Sequence, residues 1–129
     1  MRRLTVSMAL AAALAAAQAE AAERPVACKG NPAIVAACFT VHGTMTAHNG
    51  APTFRIWNAA THRILGVHGD QDGLPPELIP ILMAPNGDAF GKFFEGDFTV
   101  CPFTRERAGH MRMVCIESAR NLHIHPLAP

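Results

Sequence analysis

Four cysteines and seven histidines carry most of the chemistry that this 129-residue sequence could support. Cys28, Cys38, Cys101 and Cys115 are separated by nine, 62 and 13 residues. Metal-binding cysteines come in pairs two to four residues apart. An even number at wide spacing in a short exported chain forms disulfides instead. Two bridges are therefore expected, with three pairings formally open. Among the histidines, His42 and His48 share strand parity, as do His123 and His125. Either pair points two imidazoles to one side, a start towards a zinc or copper site. No pair completes a ligand motif, so solvated surface histidines are the expectation. Met111, Met113 and Cys115 lie on one face beside His110, a soft set suited to Cu(I). Oxidation of Cys115 removes the strongest member, and two adaptable methionines covering a disulfide and Phe103 is the plainer reading. His110, Met111, Met113, His123 and His125 remain incomplete metal candidates, and no cofactor is implied.

The best binding candidate is Arg55 with Trp57 and Thr53, three residues of alternate parity on one strand. An arginine beside an exposed tryptophan grips anionic or aromatic ligands by stacking and cation–π attraction. The competing expectation buries Trp57 beneath the N-terminal segment. Catalysis finds no residues to carry it. Ser118, the one serine besides Ser7, has no Gly-x-Ser-x-Gly elbow. Oxidised cysteines offer no thiolate, and no paired carboxylates stand out. Asp70-Gln71-Asp72-Gly73 matches part of a calcium loop but lacks its later ligands, and reads as a turn.

These side chains need a scaffold, which alternation supplies. Phe39, Val41 and Met45 alternate with Thr40, His42, Thr44 and Thr46, predicting a half-buried strand. Asn49-Gly50 predicts a hairpin, followed by strands over Thr53–Trp57 and His62–Val67. A short helix is predicted over Glu77–Met83, with Pro80 tolerable only in its first turn. A fourth strand runs through Phe94–Cys101. After the polar turn Thr104–Gly109, Met111–Glu117 forms the fifth, and His123-Ile124-His125 either extends it or begins the tail. Three strands, a helix and two strands is the element order of an OB-like Greek-key barrel; an open β-sandwich is the alternative.

If the last two strands pair around a turn near Ala108, Val100 opposes Ile116, Thr99 opposes Glu117, and Cys101 opposes Cys115. Directly opposed Cβ atoms approach disulfide geometry. The expected bridges are thus Cys101–Cys115 and, by elimination, Cys28–Cys38.

Residues 1–19 read as a signal peptide: Arg2-Arg3, an apolar run from Leu4 to Ala17, and an Ala17-Gln18-Ala19 cleavage site. That run is shorter than the ~20 residues of a membrane span. The expected organisation is a leader over 1–19, an irregular segment over 20–37 punctuated by Pro25, Gly30 and Pro32, and one β domain over 38–129. The whole chain has 11 basic and 10 acidic side chains. Loss of Arg2 and Arg3 leaves the mature part without the basic excess that nucleic-acid binding requires. No later apolar run reaches membrane-spanning length, so a soluble periplasmic or secreted protein is expected.

Six segments add a resemblance: Cys38–Gly43 (CFTVHG), Asn49-Gly50, Phe54–Trp57 (FRIW), Arg63–Val67 (RILGV), Gly96–Thr104 (GDFTVCPFT) and Gly109–Leu122 (GHMRMVCIESARNL). Together they resemble a family of small exported bacterial proteins of unknown function. The likeness covers about two-thirds of the chain and its whole β region. The family pattern often has Arg after His-Gly, where this chain carries Thr44. The resemblance implies no reaction, ligand or catalytic residue.

The combined expectation is a disulfide-stabilised, non-catalytic binding or structural module of the cell envelope, meeting a small molecule or an envelope protein. Two alternatives are a periplasmic Cu/Zn-handling protein using His and Met, and a hydrolase with an unrecognised site.

Overall fold

The computed structural model describes residues 28–69, 73–83 and 89–127. The leader, its cleavage site and most of the calcium-like loop lie outside these residues. Five strands form: β1 Phe39–Ala47, β2 Phe54–Asn58, β3 Ile64–Val67, β4 Lys92–Pro102 and β5 Arg112–Pro126. A short helix, α1 (Ile79–Met83), lies between β3 and β4.

The strands hydrogen-bond in the order β1-β2-β3-β5-β4, and β4 pairs back onto β1 to close the sheet into a barrel. All pairings are antiparallel except β3 with β5. Alternation determines which side chains face in. Val41 and Met45 of β1, Phe54 and Ile56 of β2, Phe94, Phe98 and Val100 of β4, and Val114 and Ile116 of β5 fill the interior. Leu74, Leu78 and Leu82, from α1 and the segment before it, join the same core. Closure removes most of the unpaired strand edge that so β-rich a chain would otherwise expose.

Several boundaries differ from the sequence reading. His62 has a positive φ of 61°, which ends the β2–β3 turn and delays β3 to Ile64. Helix α1 begins at Ile79, and this places Pro80 in its first turn. Strand β5 continues to Pro126, taking in His123–His125. The β4–β5 register of Val100 with Ile116 and Cys101 with Cys115 is present, but a bulge after Thr99 places that residue opposite Ser118 instead of Glu117.

The disulfides correct the expected connectivity. Cys28 bonds Cys115 and Cys38 bonds Cys101, so neither Cys101–Cys115 nor Cys28–Cys38 forms. The physical reason lies in the ladder. Phe103 N–H donates to the Met113 carbonyl at 2.8 Å, which makes Cys101 and Cys115, two residues on, another hydrogen-bonded pair. Side chains in such pairs stand farther apart than in the alternate class. On its other side Cys101 faces Cys38, one step beyond the Phe39–Val100 pair, with Cα atoms only 4.1 Å apart. Cys101 therefore bridges to β1. Residues 28–38 lie across the outside of β4 and β5, held by both bridges, by Lys29 N–H on Glu117 and by Val35 N–H on the Pro102 carbonyl. Cys28, Cys101 and Cys115 sulfurs lie within 4.8 Å of one another, but all belong to disulfides and offer no thiolate to a metal.

Candidate functional site

Outward-facing residues of β2 come first, because the sequence singles them out. Trp57 is 43% exposed, so the described part of the N-terminal segment, from Cys28 on, does not bury it. Its ring stacks on His62 with centroids 5.2 Å apart and planes 17° from parallel. Arg55 points the same way along the strand, but its Nε donates to the Pro52 carbonyl at 3.2 Å. That bond ties it to the β1–β2 loop, and no cation–π contact joins it to Trp57 among the described residues. Thr53 stands at the loop end of the same strand. The trio shares a face without forming one grip. Trp57→Ala should therefore cost about 1 kcal/mol or less, the worth of an aromatic stack, whereas Phe98→Ala in the core should cost about 3–5 kcal/mol. Thermal melts of both variants check this; equal losses would place Trp57 in the core after all.

Two turns that lie far apart along the chain meet in the fold. The β2–β3 turn is shaped by Asn58 Oδ1, which accepts from Ala60 N–H (2.9 Å), and by Thr61 Oγ1, which accepts from Arg63 N–H (3.2 Å). Such short polar side chains replace backbone partners and fix turns locally. The β4–β5 loop is shaped by Gly109, with φ at 77°, and by His110 N–H donating to the Arg107 carbonyl. Arg63 Nη1 and Glu106 Oε1, 2.6 Å apart, clip one turn to the other. Both side chains are more than half exposed, so the pair orients more than it stabilises.

Between these turns and the start of β1 lies an open groove of about 750 Å³, within the size range of small-molecule sites. Its walls hold three arginines, Arg63, Arg107 and Arg112, and two histidines, His62 and His110, against one acid, Glu106. Arg112 is clamped: its guanidinium carbon lies 5.1 Å from the Phe39 ring centroid and its Nε donates to the Thr104 carbonyl at 3.1 Å. Arg107 has no ionic partner among the described residues. The floor carries backbone polarity as well. Pairing of β1 with β2 begins only at Gly43. Ala59 N–H donates to the His42 carbonyl, so the backbone groups of His42 point to the β2 side, and strand alternation turns those of Thr40 the same way. Beyond Ala59 the chain leaves β1, and the Thr40 N–H and C=O face the groove.

The metal candidates do not assemble as one set. His110 sits in the groove wall. Met111 and Met113 lie over Gly66: a Cβ there would sit 2.7 and 2.8 Å from their sulfurs. They cover bare backbone of β3 rather than a disulfide. His123 and His125 lie at the opposite end of β5, over β4. There a separate polar cluster forms on the outer face. Asn121 and His42 both hydrogen-bond Asp97 at 2.9 Å, and these bonds, Asn121's the stronger influence, hold the Asp97 carboxyl below its ordinary range. Ser118 opposes Thr99 on β4, and no histidine hydrogen bond reaches it among the described residues.

The groove was missed in the sequence because its two turns are more than 40 residues apart. One local signal was available: the β4–β5 loop runs Arg105-Glu106-Arg107-Ala108-Gly109-His110-Met111-Arg112, the densest basic stretch of the β region. Compared with protein-family models, characterised proteins and solved structures, the chain matches none.

Proposed function

We propose that this protein is an exported, OB-like, non-catalytic barrel that binds an anionic ligand in the groove between its β2–β3 turn and its β4–β5 loop. The observation that carries this reading is the charge of the walls, three arginines facing one glutamate, with Arg112 held over the Phe39 ring. Arginine's planar fork suits carboxylate and phosphate oxygens. The Thr40 backbone edge supplies a donor and an acceptor to orient the ligand, and the exposed Trp57–His62 stack adjoins the mouth through His62, itself a wall residue. Strand order and the position of α1 support the OB-like reading. The N-terminal leader pattern, two disulfides and the resemblance to small exported proteins support export.

Citrate and pyrophosphate are suitable probes. NMR titration of the oxidised protein should shift the Thr40, Arg107 and Gly109 amides, with binding weakened by added salt. Arg107→Ala with Arg112→Ala should weaken binding about 10-fold or more, since each charged hydrogen bond is worth about 1.5–3 kcal/mol. Absence of shifts in the groove, or undiminished binding by the double variant, would overturn the assignment.

A further inference from the structure

Thr40 offers the groove a hydrogen-bonding pattern that a carboxylate alone does not satisfy. Its N–H and C=O leave the same edge of β1, facing the gap that opens where β2 ends at Asn58. Thr40 is exposed, so water meets both groups in the empty groove. A ligand that displaces this water loses affinity unless it returns both bonds. An ionised carboxylate only accepts; it serves the N–H and leaves the C=O without a donor. A peptide residue carries one donor and one acceptor, and in an extended chain both point to one edge.

The edge is also prepared for such a partner. Pairing with β4 from Phe39 to Thr46 holds this part of β1 extended, so no ordering cost falls on it when a ligand arrives. Thr40 Oγ1 lies 2.9 Å from Thr99 Oγ1 of β4, which keeps the side chain on the β4 side and the gap clear. Unpaired strand edges of this kind accept an added strand, the main chain supplying affinity and the alternate side chains specificity.

Charge then selects the side chains. Arg63 is paired with Glu106, so that pair is neutral as a unit. Arg107, which has no ionic partner among the described residues, and Arg112, fixed by Phe39 and Thr104, remain to meet carboxylates. Ile64, 45% exposed, lines the same groove and offers apolar surface. Successive side chains of an extended segment point to opposite faces, which suits acidic residues alternating with apolar ones.

Resting on the groove assignment above, we infer that the anionic ligand is an acidic peptide segment, bound extended and added as a strand to β1 at Thr40, with its carboxylates on Arg107 and Arg112. The backbone edge and the arginines divide the work: the first demands a peptide, the second an acidic one.

The test titrates the oxidised full chain with acetyl-Glu-Val-Glu-Val-Glu-amide, whose three carboxylates match citrate in charge, and follows amide NMR signals. Thr40 and Arg107 amides should shift, and the Thr40 amide should exchange its hydrogen more slowly. Successive N–H groups of a strand face opposite edges, so two further peptides are compared, one N-methylated on its valines and one on its glutamates. One of them should bind about 10-fold more weakly, the worth of a backbone hydrogen bond, and the other like the parent. The parent should bind about 10-fold more tightly than citrate by the same measure. Citrate binding as tightly as the peptide, or both methylated peptides binding like the parent, would overturn the peptide inference and leave the anion reading in place. Trigalacturonate binding more tightly than the peptide would overturn it in favour of an acidic saccharide. If neither peptide, saccharide nor citrate moves the groove amides, the anion reading falls and this inference with it.

Discussion

Replacing Cys38 and Cys101 together by alanine is expected to lower the unfolding free energy by about 4 kcal/mol. The bridge spans 63 residues of sequence, and the chain-entropy account assigns a loop of that length roughly this much restriction of the unfolded state. Cys28–Cys115 spans 87 residues and should be worth slightly more by the same argument. Domains of this size have total stabilities of about 5–15 kcal/mol, so either loss leaves a marginal protein. Urea denaturation of the two oxidised double variants measures it, and a loss below about 1 kcal/mol in both would remove the bridges from any account of stability. Non-reducing peptide mapping checks the pairing itself: fragments should link Cys28 to Cys115 and Cys38 to Cys101. A fragment linking Cys101 to Cys115 would contradict the ladder geometry.

Gly43→Ala should be nearly as damaging, by about 3 kcal/mol. Gly43 opposes Gly96 on β4 and Asn58 on β2, where the barrel wall turns from one neighbour to the other. A Cβ there would overlap the Trp57 carbonyl oxygen and lie 3.1 Å from its carbonyl carbon. Both atoms are backbone, so relief requires β1 and β2 to separate at their first shared pair. Overpacking against flexible side chains costs about 1–3 kcal/mol, and a rigid obstacle places this substitution at the top of that range. Thr44→Ala, one residue on and facing outward, is the control and should stay within about 0.5 kcal/mol. Similar denaturation midpoints for the two variants would show that the strands yield there after all.

Period-two alternation read from the sequence located all five strands and sorted their inward from outward faces, because burial on one face imposes it residue by residue. Val100 opposite Ile116 follows from that logic. What alternation does not encode is the class of each opposed pair. Cys101 and Cys115 do face each other, yet the position of the ladder bonds, set around Phe103 and Met113, sends their sulfurs to different partners. Bulges are equally silent: the shift after Thr99 and the one at Asn121 each insert a residue without any break in composition. The candidate sites were less legible still. Arg55 and Trp57 share a strand face, but the bond from Arg55 to Pro52 depends on a loop conformation. Arg63 and Glu106, or His42 and Asp97, meet only through the pairing of distant strands, a property of strand order and not of any segment.

The two bridges are nested, first cysteine with last and second with third. For a chain delivered N-terminus first into an oxidising compartment, this order has a biosynthetic consequence. Cys28 and Cys38 emerge together, with nine residues between them, long before their partners at 101 and 115. An oxidase acting on thiols as they arrive would join the wrong pair. Correct maturation then depends on thiolate attack that reopens the early bond and passes it on through mixed disulfides, a process of seconds to hours without help. Yield of native protein should follow the supply of disulfide isomerase more closely than the supply of oxidant, and the trapped Cys28–Cys38 species should accumulate when isomerase is withheld.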